Sequence, residues 1–188
     1  MMSWTPTMLI RTRGWTPGEA GLALGGAILI AGTIGVVAAG WIGDRLVQRG
    51  RAHGQLMVCA LAMAIGAVGA ATFPIQQSTP WLLAAFLLAM LGGYMIVGCS
   101  AAALQQLVPN RMRGQASAVY LLVTNLIGLG FGPTVVALLT EHVFRDPAAL
   151  PWSLAISAGT AYVASLIGFL SVLRPFERTV QAEQGTAA

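Results

Sequence analysis

The sequence predicts an all-α integral membrane protein, a polytopic bundle of five transmembrane helices in a lipid bilayer. Hydrophobic residues make up 56% of the 188-residue chain and charged residues only 9%, whereas soluble domains carry about 25% charged residues. The mean hydropathy of +0.75 agrees with this class, because so few polar groups could not cover the surface of a globule. Five apolar segments are also long enough to cross a bilayer, which takes about 20 residues per helix.

The elements follow in order from the apolar runs and from the helix breakers between them. Residues 1–16 precede the first span, residues 17–173 hold all five spans, and residues 174–188 form a polar tail. The spans are predicted at 17–42, 56–73, 81–107, 115–140 and 151–173. Glycine or proline clusters separate the spans at 50–54, 74–80, 109–114 and 146–151, where helices are expected to end.

The arginines predict the orientation of these spans. All ten basic residues are arginines. One side of the membrane receives seven of them: Arg45, Arg49, Arg51, Arg111, Arg113, Arg174 and Arg178. The other side receives Arg11, Arg13 and Arg145. Because positively charged loops stay in the cytoplasm, the N-terminus is predicted outside and the C-terminal tail inside. We expect the membrane to be a plasma membrane, in a bacterium the inner one.

Several function classes are disfavoured by the same residues. The arginines are spread over separate loops and do not form the single basic face of a nucleic-acid-binding protein. His53 and His142 lie in loops, so neither can activate a nucleophile within a span. Cys59 and Cys99 lack CxxC spacing and are interpreted as small buried apolar side chains. We therefore predict no enzyme, no metal site and no cofactor.

Small residues recur every four positions in three of the spans. The first span has Ala31, Gly35, Ala39 and Gly43; the fourth has Thr124, Gly128 and Gly132; the fifth has Ser153, Ser157, Ala161 and Ser165. Such stripes let helices approach closely in lipid. They indicate either tight static packing or faces that slide during a conformational cycle, and spacing alone does not separate the two.

Polar residues inside a span are functional candidates, because lipid does not solvate them. Asn125 is the most informative, since its amide needs either an interhelical hydrogen bond or a polar cavity. Tyr94 and Tyr120 are further candidates for a cavity lining. Next to Asn125 stands GLGFGP, with Gly128, Gly130, Gly132 and Pro133. Proline removes a backbone hydrogen bond, so we predict a kinked or broken helix that lines a cavity.

Asp44 is unexpected where it stands. It is predicted at the cytoplasmic end of the first span, where the helix dipole disfavours an acidic side chain. The positive-inside rule explains Arg45, Arg49 and Arg51 without any further role, but it does not explain an aspartate. We therefore predict a partner for Asp44, either a nearby arginine or the positive N-terminus of another helix.

The stretch GWIGDRLVQR at 40–49 resembles the signature loop of the major facilitator superfamily, G-x-x-x-D-[RK]-x-G-[RK]-[RK]. Gly40, Asp44, Arg45 and Arg49 match the pattern, whereas Val47 and Gln48 depart from it. Further stretches are similar to spinster-like members. PNRMRGQASA at 109–118 and NLIGLGFGP at 125–133 resemble the region of helices ten and eleven. WTPTMLIR at 4–11 and GEAG at 18–21 resemble the end of helix seven and the start of helix eight.

The resemblance implies a partial major facilitator fold. The complete fold has twelve helices in two halves around a central solute site. The five spans would be helices eight to twelve, and residues 1–16 would hold the external end of a truncated helix seven with its loop. In the family, the signature aspartate of each half is thought to meet a helix start in the other half and to close an inner gate. By that analogy the signature residues form half of a gate. The start of the fourth span, with Asn110, Arg111, Arg113 and Gly114, would face the missing N-terminal half.

The function implied by the resemblance is transmembrane transport of a small solute by alternating access. Two alternatives stay open from the sequence: a truncated product that does not transport, and a small membrane protein that assembles with a partner.

Overall fold

The computed structural model of the protein describes residues 4–50, 54–146 and 149–186, with side chains except those of 106, 107, 129 and 172–186. All regular structure in these ranges is helical. Five helical stretches are long and apolar enough to cross a membrane, which confirms the predicted fold class. They are Pro17–Gln48, Gly54–Ile75, Thr79–Gln105, Asn110–Phe144 and Leu150–Ser171.

The chain forms seven α-helices within the described ranges. They are α1 (Thr5–Arg13), α2 (Pro17–Gln48), α3 (Gly54–Thr72), α4 (Thr79–Leu107), α5 (Arg113–Asn125), α6 (Gly132–Leu138) and α7 (Leu150–Thr186). Short 3₁₀ turns at Phe73–Ile75 and Asn110–Met112 precede α4 and α5. A π-helical turn at Leu126–Phe131 interrupts the α-helix of the fourth span, and a second one at Leu139–Phe144 ends the span. The backbone of α7 stays helical through 174–186, the stretch that the sequence assigned to a polar tail.

Local sequence explains both ends of α2, a helix of 32 residues. At its start the Thr16 hydroxyl accepts from the Glu19 backbone N–H at 3.3 Å. The Glu19 carboxylate accepts from the Thr16 backbone N–H at 2.9 Å, so the two form a capping box ahead of Pro17. At its end Gly50 takes a left-handed φ of +80°. Glycine adopts this conformation without steric cost, and the helix therefore stops there.

Helix α3 is the centre of the bundle and contacts α2, α4 and α7, while α2 also contacts α4. Its contact with α4 is made backbone to backbone at glycines. A Cβ atom on Gly92 would lie 2.4 Å from the carbonyl oxygen of Ala62 and 2.6 Å from Cα of Gly66. A Cβ on Gly69 would lie 2.3 Å from the backbone nitrogen of Ala89. Larger residues could not occupy these positions without separating the two helices.

Tyr162 of α7 contacts both α3 and α4. Its ring lies over Gly66, where a Cβ would come within 2.3 Å of the tyrosine Cε1 atom. Its hydroxyl donates to the carbonyl oxygen of Ala89 at 2.9 Å. Buried apolar side chains form two clusters within the bundle. In one of them Phe73 and Phe86 are in edge-to-face contact. The other cluster contains Cys59 and Cys99, which are free and buried as predicted.

The small-residue stripes have different surroundings. The α2 stripe is buried along its whole length. The stripe of the fourth span is exposed, and a Cβ on Gly128 or Gly132 would meet nothing within 4 Å. This stripe therefore has no close partner helix within the described residues. In the fifth span only Ser153 of the stripe is fully buried, whereas Ala161 and Ser165 are exposed.

Candidate functional site

The signature stretch is helical, not a loop. Gly40, Asp44 and Arg45 all lie inside α2, which continues to Gln48, and Arg49 is the residue that caps it. The predicted end of this span at Ile42 was therefore too early. The helix continues because 43–48 contain no proline and no left-handed residue before Gly50. The signature residues are consequently held at defined positions around the last turns of α2.

The carboxylate of Asp44 accepts a hydrogen bond from the side-chain amide of Gln55, with 3.2 Å between Nε2 and Oδ1. Gln55 lies in the first turn of α3, where the helix dipole is positive. The sequence predicted an arginine or the N-terminus of another helix as the partner. The partner in the structure is instead a neutral side-chain amide, which belongs to the first turn of another helix. This contact offsets the unfavourable position of an acidic residue near the C-terminal end of α2.

The two neighbouring arginines have separate surroundings. The guanidinium of Arg45 lies over the ring of Trp41, with 4.0 Å between Cζ and the ring centroid, a cation–π contact within one turn of helix. Arg45 also lies in the last turn of α2, where a positive charge complements the helix dipole. Arg49 is exposed, and its backbone N–H caps the helix on the carbonyl oxygen of Arg45 at 3.1 Å. Arg51 and His53 lie outside the described residues.

The start of the fourth span is open to its surroundings. Asn110 and Arg111 belong to the 3₁₀ turn, and α5 begins at Arg113. These residues and Gly114 are exposed, and a Cβ on Gly114 would meet nothing within 4 Å. The Arg113 Nε donates to the carbonyl oxygen of Val108 at 3.4 Å. The remaining surface of this helix start is free to contact another element.

The helix of the fourth span changes from α to π geometry at the predicted glycine–proline cluster, and its backbone stays helical there. A π-helical turn covers Leu126–Phe131, and Pro133 lies in the first turn of the following α6. Single π-turns of this kind occur often at functional sites. The carbonyl oxygen of Pro133 accepts from the indole Nε1 of Trp4 at 3.2 Å. Trp4, near the N-terminal end of the chain, therefore contacts the fourth span directly at its π-helical turn and the following proline.

The candidate cavity residues near this π-helical turn lie mostly on an open surface. Asn125 is exposed, and its amide donates to the carbonyl oxygen of Leu121 in its own helix at 2.8 Å, so it makes no interhelical bond through that donor. Gly130 is exposed as well. Gly128 and Gly132 line a cavity of about 390 Å³ between the π-helical turn and α7, together with Phe131 and Tyr162. Its lining is mainly apolar.

The two candidate tyrosines belong to helix contacts. The Tyr94 ring lies against α2, 3.8 Å from where a Cβ on Gly32 would be. The Tyr120 hydroxyl is 2.6 Å from the hydroxyl of Ser100, and Ser100 also donates to the carbonyl oxygen of Ile96 at 2.6 Å. The Ser100 hydroxyl has one hydrogen, so Tyr120 is the donor between the two hydroxyls. This bond joins α4 to α5.

Replacing Tyr120 by phenylalanine should loosen the first turns of α5, because little other contact holds this helix to α4. Loss of one hydrogen bond of about 1 kcal/mol corresponds to a roughly five-fold faster amide exchange there. Hydrogen exchange with mass spectrometry in nanodiscs measures it. Tyr94→Phe is the matched control, since the Tyr94 hydroxyl has no described hydrogen bond. Equal exchange in both variants would contradict the role of the Tyr120–Ser100 bond.

Two residues of this region were not predicted from the sequence. Gln55 was not singled out, and Trp4 appeared only in the stretch at 4–11 that resembles the end of helix seven. A second cavity, of about 500 Å³, lies beside α1 and is lined by Trp4, Arg11, Glu141 and Arg145 among others. Within the described residues no three His, Cys, Asp or Glu side chains are close enough together to hold a metal ion.

Comparison with known proteins identifies the family. The family model described as "Major Facilitator Superfamily" matches residues 1–133, well over half of the chain. An "MFS-type efflux pump" of Mycolicibacterium smegmatis is 30% identical over 147 residues, which cover 78% of this chain and 34% of that protein. The chain thus spans about a third of the length of this curated relative. No solved structure gives a significant match. The helical membrane bundle and this match together show that the chain belongs to the major facilitator superfamily, a family of membrane transporters.

Proposed function

We propose that this chain is the C-terminal half of a spinster-like secondary transporter that moves a small solute by alternating access. In this proposal α2, α3, α4, α5–α6 and α7 are helices eight to twelve, and α1 is the end of helix seven. The observation that carries it is the signature stretch, placed by α2 at one end of the bundle with Asp44 held by Gln55. The family match over residues 1–133 supports a transporter of the major facilitator superfamily.

The surface of the fourth span supports an incomplete bundle. Only 6% of the most apolar 18-residue stretch of this span is buried within the chain, whereas 56% of the corresponding stretch in the span of α3 is buried. Its glycines Gly128, Gly130 and Gly132 have open space where side chains would be. Small residues on an open helix face suit close approach by another helix more than contact with lipid alone. We assign this face to the missing N-terminal half and to the solute pathway between the halves.

The gate would lie at the predicted cytoplasmic end. Consecutive spans cross in alternating directions, so the end of α2 and the start of α5 lie on the same side. Gly40, Asp44, Arg45 and Arg49 would there meet a helix start of the missing half. The exposed turn from Asn110 to Gly114 would receive that half's own signature stretch. The direction of transport we propose is outward, as in the relative named an efflux pump. The membrane would be the bacterial inner membrane, with the C-terminus inside.

A chimera tests this function. The matched stretch of the Mycolicibacterium smegmatis relative is replaced by this chain, and expulsion of a fluorescent dye that the relative itself expels is measured in whole cells. We expect the chimera to retain at least about a tenth of the relative's rate, which corresponds to an increase of at most about 1.4 kcal/mol in the transport barrier. We expect the 188-residue chain by itself to show none.

Two results would contradict parts of the proposal. A chimera that inserts in the membrane yet expels no dye would argue against the transporter half. Expulsion by the chain alone, at the rate of the chimera, would argue against the need for another half. If the chain alone instead forms a stable homo-oligomer through its open glycine face, a protein that assembles without transporting becomes the better interpretation.

A further inference from the structure

The side chain of Gln55 is the largest polar group buried in the described part of the bundle, and it is costly to keep there. Gln55 is only 2% exposed. It lies in the first turn of α3, where the side chains that follow it in the sequence are apolar. A buried amide is tolerated when its polar atoms are hydrogen-bonded. The Nε2 atom of Gln55 has a partner, Asp44, but Oε1 is buried with none among the described residues. A leucine or methionine would fill the same space without an unpaired oxygen.

The amide fits in this position because the α2 residue opposite it has no side chain. A Cβ on Gly43 would lie 2.2 Å from Oε1, 2.6 Å from Cδ and 2.7 Å from Nε2 of Gln55. The Gln55 amide therefore occupies the space that a side chain at Gly43 would fill. This position brings Nε2 to the carboxylate of the next residue, Asp44. Gly43 is buried and is part of the small-residue stripe of α2.

We propose that Gln55 is a positioning residue for Asp44, and that Gly43 provides the space which the Gln55 amide needs to reach it. The inference rests on the proposed gate, because the gate gives a reason to keep an amide where an apolar side chain would pack better. Gln55 ties the carboxylate to α3 and restricts its orientation while leaving Asp44 exposed on its outer side. Neither Gln55 nor Gly43 was assigned to the gate from the sequence.

A positioning role and a packing role of Gln55 predict different effects of its replacement on the stability of the bundle and on the Asp44 carboxylate. Gln55→Leu removes the unpaired buried oxygen, so it should leave the unfolding temperature of the bundle equal or higher. The freed Asp44 carboxylate is exposed and can be hydrated, so its release costs the fold little. A glutamine that served only the packing of α2 on α3 would give the opposite result, a clear loss of stability on replacement.

The rate at which a carbodiimide and an amine modify Asp44 measures directly how freely its carboxylate can react. The purified 188-residue chain in nanodiscs is labelled, digested and analysed by mass spectrometry, and its unfolding temperature is measured in parallel. In Gln55→Leu we expect labelling of Asp44 to be roughly five-fold faster, the factor for loss of one hydrogen bond of about 1 kcal/mol. Gly43→Ala should give a similar increase with Gln55 still present, because the new methyl group displaces the flexible end of that side chain.

Two control variants separate the effect from general changes in α2. Gly26→Ala lies in the same helix in open space, so it reproduces the gain in helix propensity without touching Gln55. Gly35→Ala should destabilise the contact with α4, where a Cβ would lie 3.1 Å from the carbonyl oxygen of Leu91. Neither control should change the labelling of Asp44.

Unchanged labelling of Asp44 in both Gln55→Leu and Gly43→Ala would overturn the proposal. A marked fall in the unfolding temperature of Gln55→Leu, with labelling no faster than in Gly35→Ala, would also overturn it and leave a packing role. The labelling needs no solute and no transport. A failed gate in the dye assay can therefore be told apart from a failed role for Gln55.

Discussion

Alanine in place of Gly92 is expected to disrupt the bundle severely, lowering its stability by about 3 kcal/mol. The added Cβ would lie 2.4 Å from the Ala62 carbonyl oxygen and 2.6 Å from both Cα and N of Gly66. All three are backbone atoms, so no side chain can rotate to make room. Helices α3 and α4 would have to separate along their main contact.

The measurement is the unfolding transition of the purified chain in detergent micelles, followed by helix content against denaturant. Gly26→Ala is the matched control, because it makes the same chemical change at a helical glycine with nothing within 4 Å. The control should be neutral or more stable by up to about 1 kcal/mol, since alanine favours helix over glycine. If Gly92→Ala behaved like this control, the backbone contact between α3 and α4 would be wrong.

Asparagine in place of Asp44 is expected to lower dye expulsion by the chimera at least about ten-fold, a change of about 1.4 kcal/mol in the transport barrier. The substitution removes the charge but retains a side-chain oxygen that can accept from the Gln55 amide. The contact with α3 and membrane insertion should therefore persist. What is lost is the electrostatic attraction of a carboxylate for a helix start in the other half, which in the proposed cycle holds the inner gate closed.

The control for this variant is Glu141→Gln, which removes one negative charge from an exposed position at the opposite end of the bundle. Its rate should match that of the unmodified chimera. Amounts of both variants in the membrane are compared by immunoblot. A normal rate for Asp44→Asn would leave the signature arginines with a topological role only and would remove the gate from the proposal.

Much of the fold was predictable, because crossing a membrane is controlled by apolar length and composition. The five spans stand out since a bilayer excludes polar segments, and glycine or proline clusters mark their ends. Where the prediction placed an end wrongly, as at Ile42, the charged residues after it were taken for a loop. Asp44 and Arg45 extend α2 instead, because nothing before Gly50 forces the backbone out of a helix.

The candidate site was predictable only in part. Asp44 was recognised as needing a partner because a helix end disfavours an acidic side chain there. That the partner is Gln55 could not be deduced, since a glutamine at the start of a span is common at a membrane surface. The same limit applies to Trp4 and Pro133, which lie 129 positions apart along the chain and meet through one hydrogen bond.

The sequence by itself determined the class of the protein, the number of its spans and the positions of its unusual residues, because these depend on local composition and on single residues. The tertiary structure alone decided which small-residue stripes are buried. The α2 stripe and the fourth-span stripe have the same spacing, yet one lies within the bundle and the other is open. Spacing defines a helix face, but burial depends on whether another helix is present beside it, and that is a property of the whole assembly.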